Sequence, residues 1–143
     1  MRVNFPSRAS SLPIDRDPNP VIAYYNQAAQ TPHSDTLRCS VTVPSGRLLE
    51  LDGVYVQMVR DGAATPPGRF DVSVLLRPTG GTGYYIYRWT ETFADLYEGI
   101  RFHIPGPLYL PAGAVLELYT ADYSTGGTSA ITASMYGYTF AVV

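Results

Sequence analysis

VTVPSGRLLEL (41–51) returns as LYLPAGAVLEL (108–118), aligned without a gap and sharing Pro-x-Gly and a Leu-Glu-Leu ending. The prolines, Pro44 and Pro111, stand 67 residues apart. In each copy an alternating apolar run stops at Pro, which cannot donate a ladder hydrogen bond. Gly then permits a sharp turn, and a second apolar run begins at once. A strand–corner–strand unit found twice, half a domain apart, predicts two sheet-crossing turns related by pseudo-symmetry, as two Greek keys supply.

Working outward, residues 36–43 alternate with period two. Leu37, Cys39, Val41 and Val43 are expected on a core face, with Thr36, Arg38, Ser40 and Thr42 opposite. Arg47–Arg60 reads as a long strand with Gly53 at a bulge or bend. After the loop DGAATPPG (61–68), Phe70, Val72, Val74 and Leu76 alternate against Asp71, Ser73 and Arg77. TGGTG (79–83) turns the chain into a strand over 84–90. Ile100, Phe102 and Ile104 then oppose Arg101 and His103. Residues 114–123, the turn STGGTS and residues 129–142 complete the set, with Glu91–Tyr97 the one weak helical stretch. Seven or eight short strands between Gly/Pro turns predict an all-β antiparallel β-sandwich, or jelly roll, over 34–143.

Residues 1–33 follow other rules. Five of the twelve prolines (Pro6, Pro13, Pro18, Pro20 and Pro32) lie here, and none of the thirteen glycines. Proline fixes φ and biases its predecessor to extended backbone, so the segment is expected to be a stretched N-terminal arm. VIAYY (21–25) is a candidate first strand within it. Val3, Phe5, Leu12 and Ile14 are apolar residues that a solvated tail does not need, and are the expected arm contacts.

Composition narrows the function. A chain of 143 residues has the size of one domain. Charged residues make up 15%, below the usual quarter of a soluble domain. All ten basic residues are Arg, and against twelve acidic ones the formal charge is −2. Such a chain lacks the basic stripe that phosphate backbones require, so nucleic acid is not an expected partner. No apolar run approaches the ~18 residues of a membrane span, and the start has no signal-peptide h-region, so no membrane partner is expected. Cys39 alone excludes an internal disulfide and is expected to be a buried small apolar residue.

No catalytic constellation emerges. His33 and His103 are the only histidines; His33 lies in a turn and His103 alternates to the solvent face of its strand. There is no G-x-S-x-G elbow and no H-x-x-x-H pair. Glu50 and Glu117 occupy equivalent repeat positions and are the one carboxylate pair to weigh for glycoside cleavage, though each reads as a polar strand position. Asp15, Asp17 and Asn19 lack the glycine and distal glutamate of a calcium loop. Neither an enzyme, a metal nor a cofactor is expected. What remains is aromatic: Tyr85, Tyr87 and Trp89 on one strand face, with Tyr84, Ile86 and Arg88 on the other. A second row is Tyr136, Tyr138 and Phe140, with Ala133, Gly137 and Ala141 as small neighbours. Such rows either build a core or, if exposed, stack sugars or anchor a protein.

The corner repeat, the proline arm and the layout VTVPSGRLLELDGVYVQMVRDG…LYLPAGAVLELYT resemble small virion proteins of tailed bacteriophages, in particular jelly-roll or β-sandwich capsid decoration (cement) proteins. The resemblance covers roughly 36–143 and is architectural. It implies a non-enzymatic protein on the capsid surface of a virion assembled in the host cytoplasm. It also implies a homo-oligomer, a trimer, seated on the major capsid protein or another virion protein, with the terminal arm reaching a neighbour. The alternative is a carbohydrate-binding or receptor-binding module using Tyr85, Tyr87 and Trp89.

Overall fold

The computed structural model describes residues 14–16, 21–27, 35–60, 68–93, 99–123 and 129–142. Among them are nine strands: β1 (Ile14–Arg16), β2 (Val21–Gln27), β3 (Thr36–Thr42), β4 (Arg47–Arg60), β5 (Gly68–Arg77), β6 (Tyr84–Phe93), β7 (Gly99–Leu110), β8 (Val115–Asp122) and β9 (Ser129–Val142). β2 to β9 form a jelly roll. One sheet runs β2-β9-β4-β7 and the other β3-β8-β5-β6, all neighbours antiparallel. β1 is added beside β2 along the same strand, β9.

The two repeat copies are the sheet-crossing corners. The first joins β3 to β4 and the second joins β7 to β8, each passing from one sheet to the other. In both, the amide three residues after the proline donates back to the proline carbonyl at 3.2 Å: Arg47 to Pro44, and Ala114 to Pro111. The third residue of each turn is the glycine, at φ 70° for Gly46 and 79° for Gly113. A β-turn with positive φ at that position is why the sequence has Gly there.

Both sheets feed one core. Leu49, Val56, Met58, Ile131 and Met135 from the first sheet meet Phe70, Val72, Leu116 and Leu118 from the second, each at most 1% exposed. Burying each such side chain contributes about 1.5–3 kcal/mol, which makes the alternating residues the main stabilising term.

A bulge in β3 corrects the faces expected there. The β3–β8 register shifts between Leu37 and Cys39, so Leu37 leaves the core face and is 45% exposed. Arg38, expected outside, is buried and its Nε donates to Thr120 Oγ1 at 2.7 Å. Cys39, Val41 and Val43 are buried as expected. The Gly53 bend is a register shift between Leu51 and Gly53 against both neighbours of β4. Glu91–Phe93, expected as a helix start, continues β6; 94–97 lie outside the described residues.

Within the expected arm, β2 contains VIAYY and pairs with β9 from Val21 opposite Gly137 to Gln27 opposite Ile131. β1 places Ile14 opposite Val142. These two pieces of residues 1–33 are therefore edge strands of the chain's own sheet, since β9 would otherwise leave its amides and carbonyls unpaired on that side. Val3, Phe5 and Leu12 lie outside the described residues.

Candidate functional surfaces

The β6 aromatics do not form one face. β6 pairs Trp89 with Val72 and Tyr87 with Val74, then slips so that Tyr85 pairs with Leu75. Ile86 is the extra residue, and an extra residue reverses the alternation beyond it. Tyr87 and Trp89 consequently pack against the core. Tyr85 is 47% exposed, with the Arg88 guanidinium 4.7 Å from its ring centroid.

The slip opens the side of the sandwich. β6 and β7 are the edge strands of the two sheets on the same side, and between them lies a cavity of about 250 Å³. Ile86 and Tyr87 line it from β6, Ile104, Pro105 and Leu108 from β7, and Leu116 from below. No charged residue lines it. Tyr84, Tyr85 and Ile86, exposed by 53, 47 and 38%, continue the apolar surface along β6. Pro105 and Pro107 remove amide donors from β7, so this edge cannot extend the sheet regularly by adding another strand there.

A second surface is the outer face of the five-stranded sheet. The core takes Ile131, Ala133, Met135 and Thr139 of β9, which leaves Tyr136, Tyr138 and Phe140 on the outside, half-buried. The His103 and Tyr136 rings are parallel within 1°, and Nε2 and Oη are 2.7 Å apart. Their centroids are 6.2 Å apart, near the sum of that hydrogen bond and the two ring extents, so the rings lie edge to edge rather than face to face. They meet over Gly53, where a Cβ would come within 2.5 Å of Tyr136 Oη and 2.8 Å of His103 Nε2. Along β4 the neighbours follow from register: Glu50 lies between Tyr109 and Tyr138, and Tyr55 between His103 and Ser134. Tyr55 Oη donates to Gln57 Oε1 at 2.8 Å. The signal for this face was in the sequence, in His103, Gly53 and the Tyr136 row, but only strand pairing brings them together.

The outer face of the other sheet carries a small polar cluster. Arg77 Nε donates to Glu117 Oε2 at 2.9 Å, and Tyr119 Oη donates to the same oxygen at 3.1 Å. Burial, and then that hydrogen bond to Glu117, raise the Tyr119 pKa. Glu50 and Glu117 sit on the outer faces of opposite sheets, flanked by the inward residues Leu49 and Leu51 and Leu116 and Leu118. With the core between them they cannot flank one glycosidic bond, which requires carboxyl groups within ~10 Å. Among the described residues no group of three His, Cys, Asp or Glu side chains could hold a metal ion. Nor is any helix among them long and apolar enough to cross a membrane.

No family model matches the chain, and no curated protein matches its sequence. Solved structures do. The structure of Eiger TNF from S. frugiperda is similar over 87% of this chain and 93% of that one, with 11% identity and a TM-score of 0.43. The structure of infectious bursal disease virus Gt strain is similar over 87% of this chain and 33% of that one, with 14% identity and a TM-score of 0.38. At such identities and TM-scores neither neighbour assigns a function to this chain.

Proposed function

We propose that this chain is a non-enzymatic structural protein of a virus particle, of the capsid decoration type, working as a homotrimer closed through the β6–β7 edge. The observation that carries the reading is that edge: an uncharged cavity open to the surface beside three consecutive exposed apolar residues, Tyr84, Tyr85 and Ile86. Exposed apolar surface gathered in one place marks an interaction site. A second copy suits it because residues of the same patch, Tyr84 and Ile86, are themselves the apolar groups that could fill the neighbour's cavity. The resemblance of the corner layout to decoration proteins supplies the particle and the copy number.

The arm is part of this proposal and is confined to residues before β1. Val3, Phe5 and Leu12 would contact a neighbouring subunit, the major capsid protein or another virion protein. Each such contact adds to avidity, so a trimer with three arms binds far more tightly than any one contact. Neither nucleic acid nor membrane is a partner in this mechanism.

The test is occupancy on purified particles of the virus that encodes the chain. Removal of residues 1–13 should lower the number of bound copies while leaving the soluble oligomer intact. Full occupancy without those residues would remove the arm, and absence of the chain from the particles would remove the reading as a whole.

A further inference from the structure

We propose that the outer face of the five-stranded sheet is a glycan-binding platform, on which His103 and Tyr136 carry a pyranose ring. This is independent of the particle-structural reading, and the face adjoins the β6–β7 edge, since His103 belongs to β7 and Gly53 also lines the cavity. The two rings lie side by side over Gly53, parallel within 1° and joined by the Nε2–Oη hydrogen bond, so together they span more surface than either ring alone. A pyranose offers a matching object: axial C–H bonds make one face apolar, while hydroxyl groups ring its edge. Aromatic faces accept such C–H groups, and their polar tips stay available at the rim.

The rim supplies hydrogen-bonding groups of both senses. Gln57 Oε1 is occupied by Tyr55 Oη, which leaves the Gln57 amide N–H groups and the Tyr55 oxygen lone pairs without a protein partner among the described residues. The His103 Nδ1 and the Ser134 hydroxyl have none either. Tyr109 stands 46% exposed at the edge, while Glu50, between it and Tyr138, is buried. Filling the space over Gly53 explains why the two rings approach there, as aromatic side chains cover a strand glycine. It does not account for the half-buried neutral polar groups of Tyr55, Gln57 and Ser134 beside them. Neutral groups of mixed sense fit hydroxyls better than phosphates, and they would be costly to bury dry against a second copy.

The experiment is binding of the purified protein to an array of pyranose oligosaccharides (glucans, galactans, mannans, lipopolysaccharide O-chains and peptidoglycan fragments), with titration of the best hit. The wild type is expected to bind at least one. Tyr136→Ala and His103→Ala should each weaken binding at least tenfold. Tyr136→Phe, which keeps the ring and loses the bond to His103, should fall in between, and Tyr85→Ala should bind normally. Thermal unfolding and oligomer mass of each variant report whether the fold survives. The proposal is overturned if no array member binds at millimolar concentration. It is overturned equally if a hit binds Tyr136→Ala and His103→Ala as well as the wild type, or if these two variants lose the oligomer, which would make the face a seam between copies.

Discussion

The Val43 amide donates to the Ala114 carbonyl at 2.9 Å, so the two corners of the repeat are tied to each other. The Val43 carbonyl in turn accepts from the Gly113 amide, also at 2.9 Å. Both corners thus act as one clasp at one end of the sandwich, and the two turn glycines differ in what surrounds them. Gly113→Ala must place a Cβ in the left-handed region and within 2.6 Å of Thr79 Oγ1, whose hydroxyl already donates to Ala112 O. Gly46→Ala meets nothing within 4 Å. Denaturant unfolding should show a loss of about 1 kcal/mol for Gly46→Ala, from backbone strain alone, and about 2–3 kcal/mol for Gly113→Ala.

Burial predicts a sharp contrast between residues that look alike in the sequence. Phe70 is 0% exposed within the core, and Phe70→Ala should cost about 3–5 kcal/mol by loss of transfer energy and creation of a cavity. Leu37, moved outward by the β3 bulge and 45% exposed, should tolerate Leu37→Ala within about 0.5 kcal/mol. Equal costs at the two positions would mean that Leu37 is covered by another subunit in solution.

Cys39 links the core to alkaline pH. Burial pushes its thiol up to about 11, because the thiolate is poorly solvated there. A folded-state pKa raised above the unfolded value means that the folded protein holds its proton longer. This contribution to stability is full below about pH 9 and is lost as the pH rises through about 11. Guanidinium midpoints measured from pH 8 to 11 should therefore fall, and Cys39→Ala should flatten the decline. Ellman's reagent should react with Cys39 only on unfolding.

How far the sequence could be read follows from the kinds of signal it holds. Period-two alternation at Phe70, Val72 and Val74, and the paired Pro-x-Gly corners, are local patterns that identify strands and crossings directly, and the jelly roll follows from them. Bulges are not local in this way. Leu37 and Arg38 change sides, and Tyr85 parts from Tyr87 and Trp89, because one residue on each strand is left unpaired by its partner strand. Nothing in TLRCSVT or YYIYRWT announces that slip. Likewise Tyr136, Gly53 and His103 come from three strands far apart in the chain, and only the β9-β4-β7 order makes them neighbours. Prolines in 1–33 report extended backbone, and extended backbone describes both an arm and an edge strand such as β2, which contains VIAYY.

Self-assembly through the open edge is the claim on which the proposed function turns, and sedimentation equilibrium of the purified chain tests it most directly. The wild type should sediment at three times the chain mass at micromolar concentration. Ile86→Asp, which places a charge at the mouth of the uncharged cavity, should sediment at the mass of one chain while keeping its β-sheet circular dichroism. A wild type that stays at single-chain mass over the whole concentration range, or an Ile86→Asp protein that still forms the trimer, would contradict the account.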